Sequence, residues 1–394
     1  MEFLGTLCLV LITTSLAGHF SRRIGVPAVI GQLLVGILIG PAVLGWVHNN
    51  AFMHTFSEIG VIILMFIAGL ESDLGMLKKY FKPALAVAFS GVVFPVVLIY
   101  FFGKLFHFSF EQAIFLGVTF SATSVSISVE VLKELKRLKS KEGTTILGAA
   151  VIDDIISVII LSVLVSMFSN VAKAQGGHHS SNLWMSFLLD ALYFVMIFFL
   201  FEWIAPKMMR LGEHLKVASS VTLMSIVLCL GMAWLAEQVG LSDVVGAFFA
   251  GVAIAQTPYK QEVDSNIEPI GYAVFIPVFF VSIGLSISFK GMQNDILFIV
   301  LLIIIAILGK QIGCGFGAKM FGLTWNEANI VGAGMVSRGE MALVVANVAL
   351  NAGVIDASHY TAMIVVTVIT TLIAPVILKI YIQRTNTNII YEND

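Results

Sequence analysis

The sequence predicts an all-α polytopic membrane protein with about 13 transmembrane helices. Hydrophobic residues make up 58% of the 394 residues and charged residues only 12%, which is roughly half the charged share of a soluble domain. The apolar residues form runs of about 20, the length that an α-helix needs to cross a hydrocarbon core of ~30 Å. The net charge of −2 gives no indication of a nucleic-acid partner.

Each apolar run is interpreted as one membrane-crossing helix, and the runs are numbered 1 to 13 in chain order. We expect the first to be a retained helix, because it lacks the basic start and the obvious cleavage site of a signal peptide. The predicted helices cover about 2–19, 26–47, 56–72, 83–103, 111–132, 144–168, 185–205, 216–237, 241–257, 267–287, 293–321, 327–350 and 360–383.

Lysine and arginine in the connecting loops predict the orientation. Loops after odd-numbered helices hold 17 of the 22 basic residues, and loops after even-numbered helices hold 3. Since cytoplasmic loops carry the excess of basic residues, we expect the N-terminus outside the cell and the C-terminus in the cytoplasm. One missed helix would disturb this alternation.

A weak internal repeat has a period of 215 residues. Four glycines of the first half recur at this separation in the second half: Gly31 and Gly246, Gly36 and Gly251, Gly69 and Gly284, Gly117 and Gly332. Helices 1–6 then correspond to helices 8–13, with helix 7 as a linker. Because the shift of seven helices is odd, the sequence predicts two inverted six-helix repeats, which are typical of secondary transporters.

Ionisable residues occur deep in the apolar segments, where a charge costs about 2.5–3.5 kcal/mol on insertion scales. They are Asp153, Asp154, Lys310 and Glu340, with Arg338 close to Glu340. Neighbouring acids point about 100° apart around a helix, so we expect one to pair with Lys310 and the other to face a cavity. The alternative, a static buried salt bridge, leaves one acid without a role.

This set of side chains suits competition between a proton and a cation. Burial makes a carboxylate easier to protonate near neutral pH, and the same oxygens are hard ligands for an alkali cation. Because both compete for one site, the chemistry is that of antiport. Lys310 can hold Asp153 while the site carries no cation.

Predicted helices 5 and 12 contain polar segments at which the backbone can unwind, FSATSVSIS (120–128) and GAGMVSRGEMAL (332–343). Unwound carbonyls and half-helix ends can coordinate ions where they line a cavity. Thr123 and Ser124 are the candidate ion ligands, although membrane hydroxyls also bond to their own backbone. Arg338 and Glu340 are predicted to balance the half-helix dipoles and each other.

The motifs VIDDIIS, SATSVSISVEVLKEL, RRIGVPAVIGQLLVGILIGP and SRGEMALV, together with Lys310, resemble those of the monovalent cation:proton antiporter superfamily. The likeness is greatest to bacterial sodium/proton antiporters of the NapA type. It implies crossing broken helices 5 and 12, and a homodimer in which a core domain moves like an elevator.

The resemblance also implies a domain division. Dimerisation-domain helices would occupy 1–72 and 216–287, core-domain helices 83–168 and 293–383, linker helix 7 185–205, and a short cytoplasmic tail 384–394. That tail offers no nucleotide-binding domain, and no cofactor is expected.

The roles of the site residues follow from the same resemblance. Asp154 matches the principal cation-binding carboxylate, and Asp153 matches the acid that pairs with the lysine, here Lys310. The double acid with lysine implies electrogenic exchange of two H⁺ for one Na⁺, or Li⁺, in the cell membrane.

Other functions stay open at the level of sequence. A K⁺/H⁺ antiporter stays open because cation selectivity depends on cavity size and ligand number, whereas a same-fold organic-anion/Na⁺ symporter lacks the double acid and the lysine. An intramembrane aspartic protease needs acids from two helices, so adjacent acids on one helix fit it poorly. A sensor would show no steady flux.

Overall fold

The computed structural model describes residues 2–48, 50–167, 183–217, 219–239, 241–286, 296–351 and 353–391, and their regular structure is helical throughout. The helices are α1 (Glu2–Arg23), α2 (Ala28–Ile39), α3 (Ala51–Glu71), α4 (Leu74–Lys79), α5 (Phe81–Leu105), α6 (Phe110–Thr119), α7 (Val125–Glu134), α8 (Lys141–Met167), α9 (Leu183–Phe199), α10 (Ala205–His214), α11 (Ser220–Val239), α12 (Asp243–Ala255), α13 (Lys260–Ile270), α14 (Ile276–Leu285), α15 (Ile296–Met320), α16 (Trp325–Gly334), α17 (Glu340–Asn351) and α18 (Ala357–Tyr391). Single π-helical turns join α9 to α10 and α13 to α14.

The predicted all-helical membrane class is confirmed. Within the described ranges, 9 helices are long and apolar enough to cross a membrane. The remaining predicted segments correspond to two shorter apolar helices, α2 and α12, and to two interrupted helices, α6–α7 and α16–α17. The count of 13 crossings stays a prediction, because length and composition alone do not decide whether the shorter helices cross.

Predicted helix 2, placed at 26–47, is too long. Its helix begins after Pro27, which is compatible with a helix start because its missing N–H needs no partner there. The helix ends at Ile39, and Gly40 is extended. Gly40 precedes Pro41, and a residue before proline is disfavoured in the helical region.

Predicted helix 7, placed at 185–205, is too short at its end, because the helix continues through a π turn into α10 and reaches His214. The segment 384–394, predicted as a tail, is helical as far as Tyr391. The apolar pattern marks only the part of a helix that needs lipid, so a helix that extends past it with polar residues is not recognised from that pattern.

One face of α15 shows how the helices meet lipid. Its apolar side chains at spacings of three and four residues are between 46% and 69% exposed, namely Leu297, Val300, Ile304, Leu308, Ile312 and Phe316. Leu302, Ala306 and Lys310 lie on the opposite face and are fully buried. A continuous exposed apolar stripe of this length is unfavourable in water and favourable in a bilayer. The stripe therefore faces lipid, and the opposite face of α15, with Lys310, faces the protein interior.

The two interrupted helices begin with the same device. Ser109 caps α6 and Gln112 returns the bond, while Thr324 caps α16 and Glu327 returns the bond. Each is a capping box, which satisfies N–H groups at a helix start. The two caps are 215 residues apart, as are the interruptions at 120–124 and 335–339.

Close glycine contacts recur with the same period. A Cβ added to Gly284 would lie 2.4 Å from the carbonyl oxygen of Leu33, and one added to Gly69 would lie 2.2 Å from that of Phe248. Adding 215 to Leu33 gives Phe248, and adding it to Gly69 gives Gly284. Two more pairs of contacts are equivalent in the same way. Gly31 against Ala17 corresponds to Gly246 against Met232, and Gly117 against Val96 corresponds to Gly332 against Gln311. These equivalences support the predicted repeat, whose inverted sense stays a prediction.

The chain divides into two compact units. Unit 1 comprises Met1–Leu16, Asn49–Leu77 and Ser181–Ser282, and unit 2 comprises Ala17–His48, Lys78–Ser180 and Ile283–Asp394. In unit 1, α3 packs closely along α12. In unit 2, α5 packs against α8 and α15, and both interrupted helices belong to this unit.

Candidate functional site

The interruptions of the two broken helices contact each other. The backbone N–H of Ser124 donates to the carbonyl of Ser337 at 2.9 Å, and the Ser337 hydroxyl donates to the carbonyl of Ser124 at 2.6 Å. Ser128 adds a hydroxyl bond to the carbonyl of Gly334 and lies 3.2 Å from the Ser337 hydroxyl. Backbone groups that one interruption leaves without a helical hydrogen bond are therefore bonded by the other interruption. Non-helical backbone inside a membrane requires such partners.

Small residues allow this crossing. A Cβ added to Gly339 would lie 2.6 Å from the Cβ of Ser124, so any larger residue would push the two interruptions apart. In the first interruption, serine and threonine hydroxyls compete with the helix for backbone groups, and no glycine or proline occurs between Phe120 and Ser124. The crossing predicted for helices 5 and 12 is thus built from a glycine in the second interruption and from hydroxyls of both helices.

Lys310 and Asp153 form a buried ion pair beside the first interruption. The Lys310 Nζ lies 3.1 Å from one Asp153 carboxylate oxygen and 3.3 Å from the other. The exposed fraction of the side chain is 0% for Lys310 and 1% for Asp153. Lys310 also donates to the carbonyl of Ser121. One ammonium group therefore joins α8 and α15 to the unwound backbone.

Gly91 on α5 makes room for Cys314, which lies on the same face of α15 as Lys310. A Cβ at Gly91 would lie 3.5 Å from the Lys310 Nζ and 2.4 Å from the sulfur of Cys314, one turn further along α15. Close packing of α5 against the lysine face of α15 therefore depends on the missing side chain. It keeps lipid and bulk water away from the ion pair.

Asp154 is also buried, with an exposed fraction of 8%. It follows Asp153 on α8, and successive side chains of a helix point about 100° apart. The geometry that places Asp153 on Lys310 therefore directs Asp154 elsewhere, so the two acids occupy different surroundings. Asp153 is therefore the acid in contact with Lys310, and the cation-binding role of Asp154 stays a prediction.

The hydroxyls in and next to the first interruption behave in two ways. Ser121 donates to the carbonyl of Val118 and Thr119 donates to that of Phe115, each at 2.8 Å, so both bond to their own helix. The hydroxyl of Thr123 instead points across the crossing and lies 3.5 Å from the Met335 carbonyl oxygen, which is too long for a strong bond. The roles of Thr123 and Ser124 as Na⁺ ligands at Asp154 stay predictions.

Arg338 lies in the second interruption and is fully buried. Its guanidinium donates to the carbonyls of Met335 and Ala306, each at 3.2 Å, and its own carbonyl accepts from Thr371 at 2.6 Å. Met335 is the C-cap of α16, and a cation there opposes the negative end of the helix dipole. The predicted partner, Glu340, begins α17, but its side chain lies outside the described residues.

Several buried polar residues near the site were not predicted from the sequence. Ser337 holds the crossing, Ser157 lies one turn beyond the two acids, and Glu130 is 7% exposed on α7. The serines are too common to be selected by residue type. Glu130 was missed because it lies close to the basic end of its segment, although its position in an apolar membrane helix was a usable signal.

Taken together, an all-helical membrane protein with two crossing interrupted helices and a buried lysine–carboxylate pair belongs to the class of secondary cation transporters. The family model described as "Sodium/hydrogen exchanger, transmembrane" matches residues 8–384. The chain belongs to this family, and hence to the monovalent cation:proton antiporter superfamily.

Two curated relatives match almost the whole chain. A "Na(+)/H(+) antiporter" of Enterococcus hirae is 51% identical over 390 residues, covering 98% of this chain and 100% of the relative. The "Na(+)/H(+)-K(+) antiporter GerN" of Bacillus cereus is 45% identical over 378 residues, covering 96% of each chain.

The fold also matches a solved structure. The sodium proton antiporter MjNhaP1 of Methanocaldococcus jannaschii aligns with a TM-score of 0.69 at 16% identity, covering 96% of each chain. A second structure of that protein gives a TM-score of 0.73 at 18% identity, covering 95% of this chain and 94% of that one. At this identity the match concerns the fold alone.

Proposed function

We propose that this chain is a secondary active antiporter that exchanges Na⁺, or Li⁺, for H⁺ across the cell membrane. It takes up two H⁺ for each Na⁺ that it expels and so serves sodium and pH homeostasis. The observation that carries the proposal is the buried Asp153–Lys310 pair, with a second buried acid, Asp154, next to it on α8.

Asp154 is the cation-binding carboxylate. An alkali cation that leaves water needs oxygen ligands, and Thr123 and Ser124, at the crossing, are the other candidate ligands. The first interruption is anchored to the acid pair because Lys310 binds both Asp153 and the Ser121 carbonyl. The site therefore links a carboxylate, hydroxyls and unwound backbone, the combination that binds a partly dehydrated cation.

Coupling follows from the charges. Without a cation, Lys310 neutralises Asp153. Na⁺ that binds at Asp154 displaces the proton held there, and Lys310 releases a second proton as the cation enters, so the site carries one positive charge fewer with Na⁺ than with two protons. Two protons exchanged for one Na⁺ move one net charge in each cycle, and a membrane potential contributes about 2.3 kcal/mol per charge per 100 mV.

Transport proceeds by an elevator movement. The core domain, 83–168 and 293–383, carries the site, and the dimerisation domain, 1–72 and 216–287, holds the homodimer in the lipid. Residues 185–205 link the repeats. Asp153, Lys310 and both interruptions lie in unit 2, so the site can be carried as one body. The N-terminus lies outside the cell and the C-terminus in the cytoplasm.

A K⁺/H⁺ exchange activity is the second candidate. It is favoured by the similarity to GerN, whose name includes both Na⁺ and K⁺. The residues of the site bind either ion, since cavity size and ligand number decide the selectivity. An organic-anion/Na⁺ symporter is the remaining alternative.

Proton movement in sealed liposomes tests these proposals. Purified protein is reconstituted with a trapped pH dye, an acid-outside gradient is imposed, and Na⁺, Li⁺ or K⁺ is added, with and without a valinomycin voltage clamp. Cation-dependent proton movement that responds to voltage supports electrogenic antiport and identifies the ion. Movement indifferent to voltage contradicts the two-to-one stoichiometry, and no cation-dependent movement in active protein contradicts antiport.

A further inference from the structure

Ser157 on α8 has a buried hydroxyl without a partner in the described part of the chain. Its side chain is 1% exposed, and its Oγ has no hydrogen-bond partner there. A buried hydroxyl without a hydrogen bond is unfavourable by about 1–3 kcal/mol in protein mutational data. A polar group kept in such a place needs an explanation other than packing.

The usual solution for a helical hydroxyl is not used at Ser157. Serine and threonine in a membrane helix can donate to the carbonyl three or four residues earlier. On the same helix, Thr145 does so, with a bond of 2.7 Å to the carbonyl of Lys141. Other described hydroxyls do the same, among them Thr14, Ser72, Ser90, Thr119, Thr367 and Thr370. The Ser157 hydroxyl makes no such bond.

Its position relative to the two acids is specific. At about 100° per residue, Ser157 lies about 40° around the helix from Asp153 and about 60° from Asp154, between their two directions. It is one turn further along, and side chains three or four residues apart on a helix are neighbours with Cβ atoms about 5–6 Å apart. The orphaned oxygen thus shares a helix face with both carboxylates.

We propose that the Ser157 hydroxyl oxygen is a direct ligand of the transported cation, together with the carboxylate of Asp154. This inference rests on the proposed function and adds a ligand to that site. Oxygen ligands of a hard cation such as Ca²⁺ lie at roughly 2.3–2.6 Å, so one cation of similar size can join oxygens up to about 5 Å apart. Side chains three residues apart on a helix meet that requirement. Asp154 is the acid that the proposed function assigns to the cation, and Asp153 is in contact with Lys310.

The test compares hydroxyl removal at Ser157 and at Thr145 in the full chain. Ser157→Ala removes the proposed ligand oxygen, and Ser157→Cys preserves size while offering sulfur, a poor ligand for a hard cation. Thr145→Val is the matched control, because it removes a fully buried hydroxyl of the same helix that already has a backbone partner. The readouts are the Na⁺ concentration for half-maximal proton movement in liposomes and the thermal stabilisation by Na⁺ in detergent.

Both Ser157 variants are expected to need about three to ten times more Na⁺, the effect of a loss near 1 kcal/mol, with the rate at saturating Na⁺ close to that of the unmodified protein. Thr145→Val should leave the Na⁺ requirement unchanged. An unchanged requirement in Ser157→Ala, with a higher melting temperature, would show that the hydroxyl is only a buried polar group and overturn the inference. An equal rise in Thr145→Val would overturn it too. Failure of the unmodified protein to couple Na⁺ to proton movement contradicts instead the proposed function.

Discussion

The Asp153–Lys310 pair makes the most direct prediction about stability. In Asp153→Asn, the fully buried ammonium of Lys310 loses its counter-charge but keeps the Ser121 carbonyl as an acceptor. Removing one partner of a buried ion pair costs about 3–5 kcal/mol. We expect the lower part of that range, because the asparagine amide oxygen can still accept a hydrogen bond at the position of the carboxylate.

The double variant Asp153→Asn/Lys310→Met separates the charge from the packing. Methionine fills much of the volume of the lysine stem without a charge, so the double variant has no unmatched ion. The melting temperature of the double variant should be higher than that of Asp153→Asn, although the Ser121 carbonyl then loses its donor. A positive coupling energy in the double-mutant cycle is the expected result.

The assay is thermal unfolding of the purified protein in detergent at pH 7. The four forms compared in one buffer are the unmodified protein, Asp153→Asn, Lys310→Met and the double variant. Strictly additive effects, or a loss below about 1 kcal/mol in Asp153→Asn, would refute the reasoning. Such results would mean that water or another group replaces the counter-charge. The Asp153–Lys310 pair would then contribute little to the free energy of unfolding.

Three further predictions concern the site and its packing. Asp154→Asn should abolish cation-dependent proton movement in liposomes while the melting temperature stays within a few degrees; exchange at the normal rate would show that the cation binds elsewhere. Ser337→Ala removes the donor to the buried Ser124 carbonyl at 2.6 Å and should cost about 1–3 kcal/mol, measured as a lower melting temperature, which an unaltered melting curve would contradict. Gly69→Ala places a Cβ 2.2 Å from a backbone carbonyl oxygen of α12 and should destabilise by about 1–3 kcal/mol. Its control Gly231→Ala has nothing within 4 Å and should be neutral or stabilising by up to about 1 kcal/mol; equal effects of the two would refute the packing argument.

Much of the fold could be predicted because a membrane imposes simple rules on a sequence. Apolar runs located the helices, and polar clusters located both interruptions, at 120–124 and 335–339. The helix ends were less predictable: helix 2 is shorter than its apolar run, and the helix over 185–205 continues to His214. An apolar run indicates which segment lies in the hydrocarbon core. The end of a helix depends instead on backbone hydrogen bonds and on residues such as proline.

The candidate site could be predicted at its charged residues but not at its neutral ones. A charge inside a bilayer is costly, so Asp153, Asp154 and Lys310 were recognisable from their positions alone. A serine has almost no such cost when it bonds to its own helix. Nothing in the sequence therefore distinguishes Ser157 from Ser337.

The sequence by itself determined the class of protein, the approximate positions of the helices and the charged residues that they bury, because hydrophobic length and buried charge leave a signal at single residues. Only the tertiary structure decided which backbone carbonyl Lys310 meets beside Asp153 and which serine joins the two interruptions. It also left the hydroxyl of Ser157 without a partner among the described residues. Those outcomes depend on the direction of each side chain around its helix and on which backbone lies within about 3 Å, and both are fixed only when the helices pack.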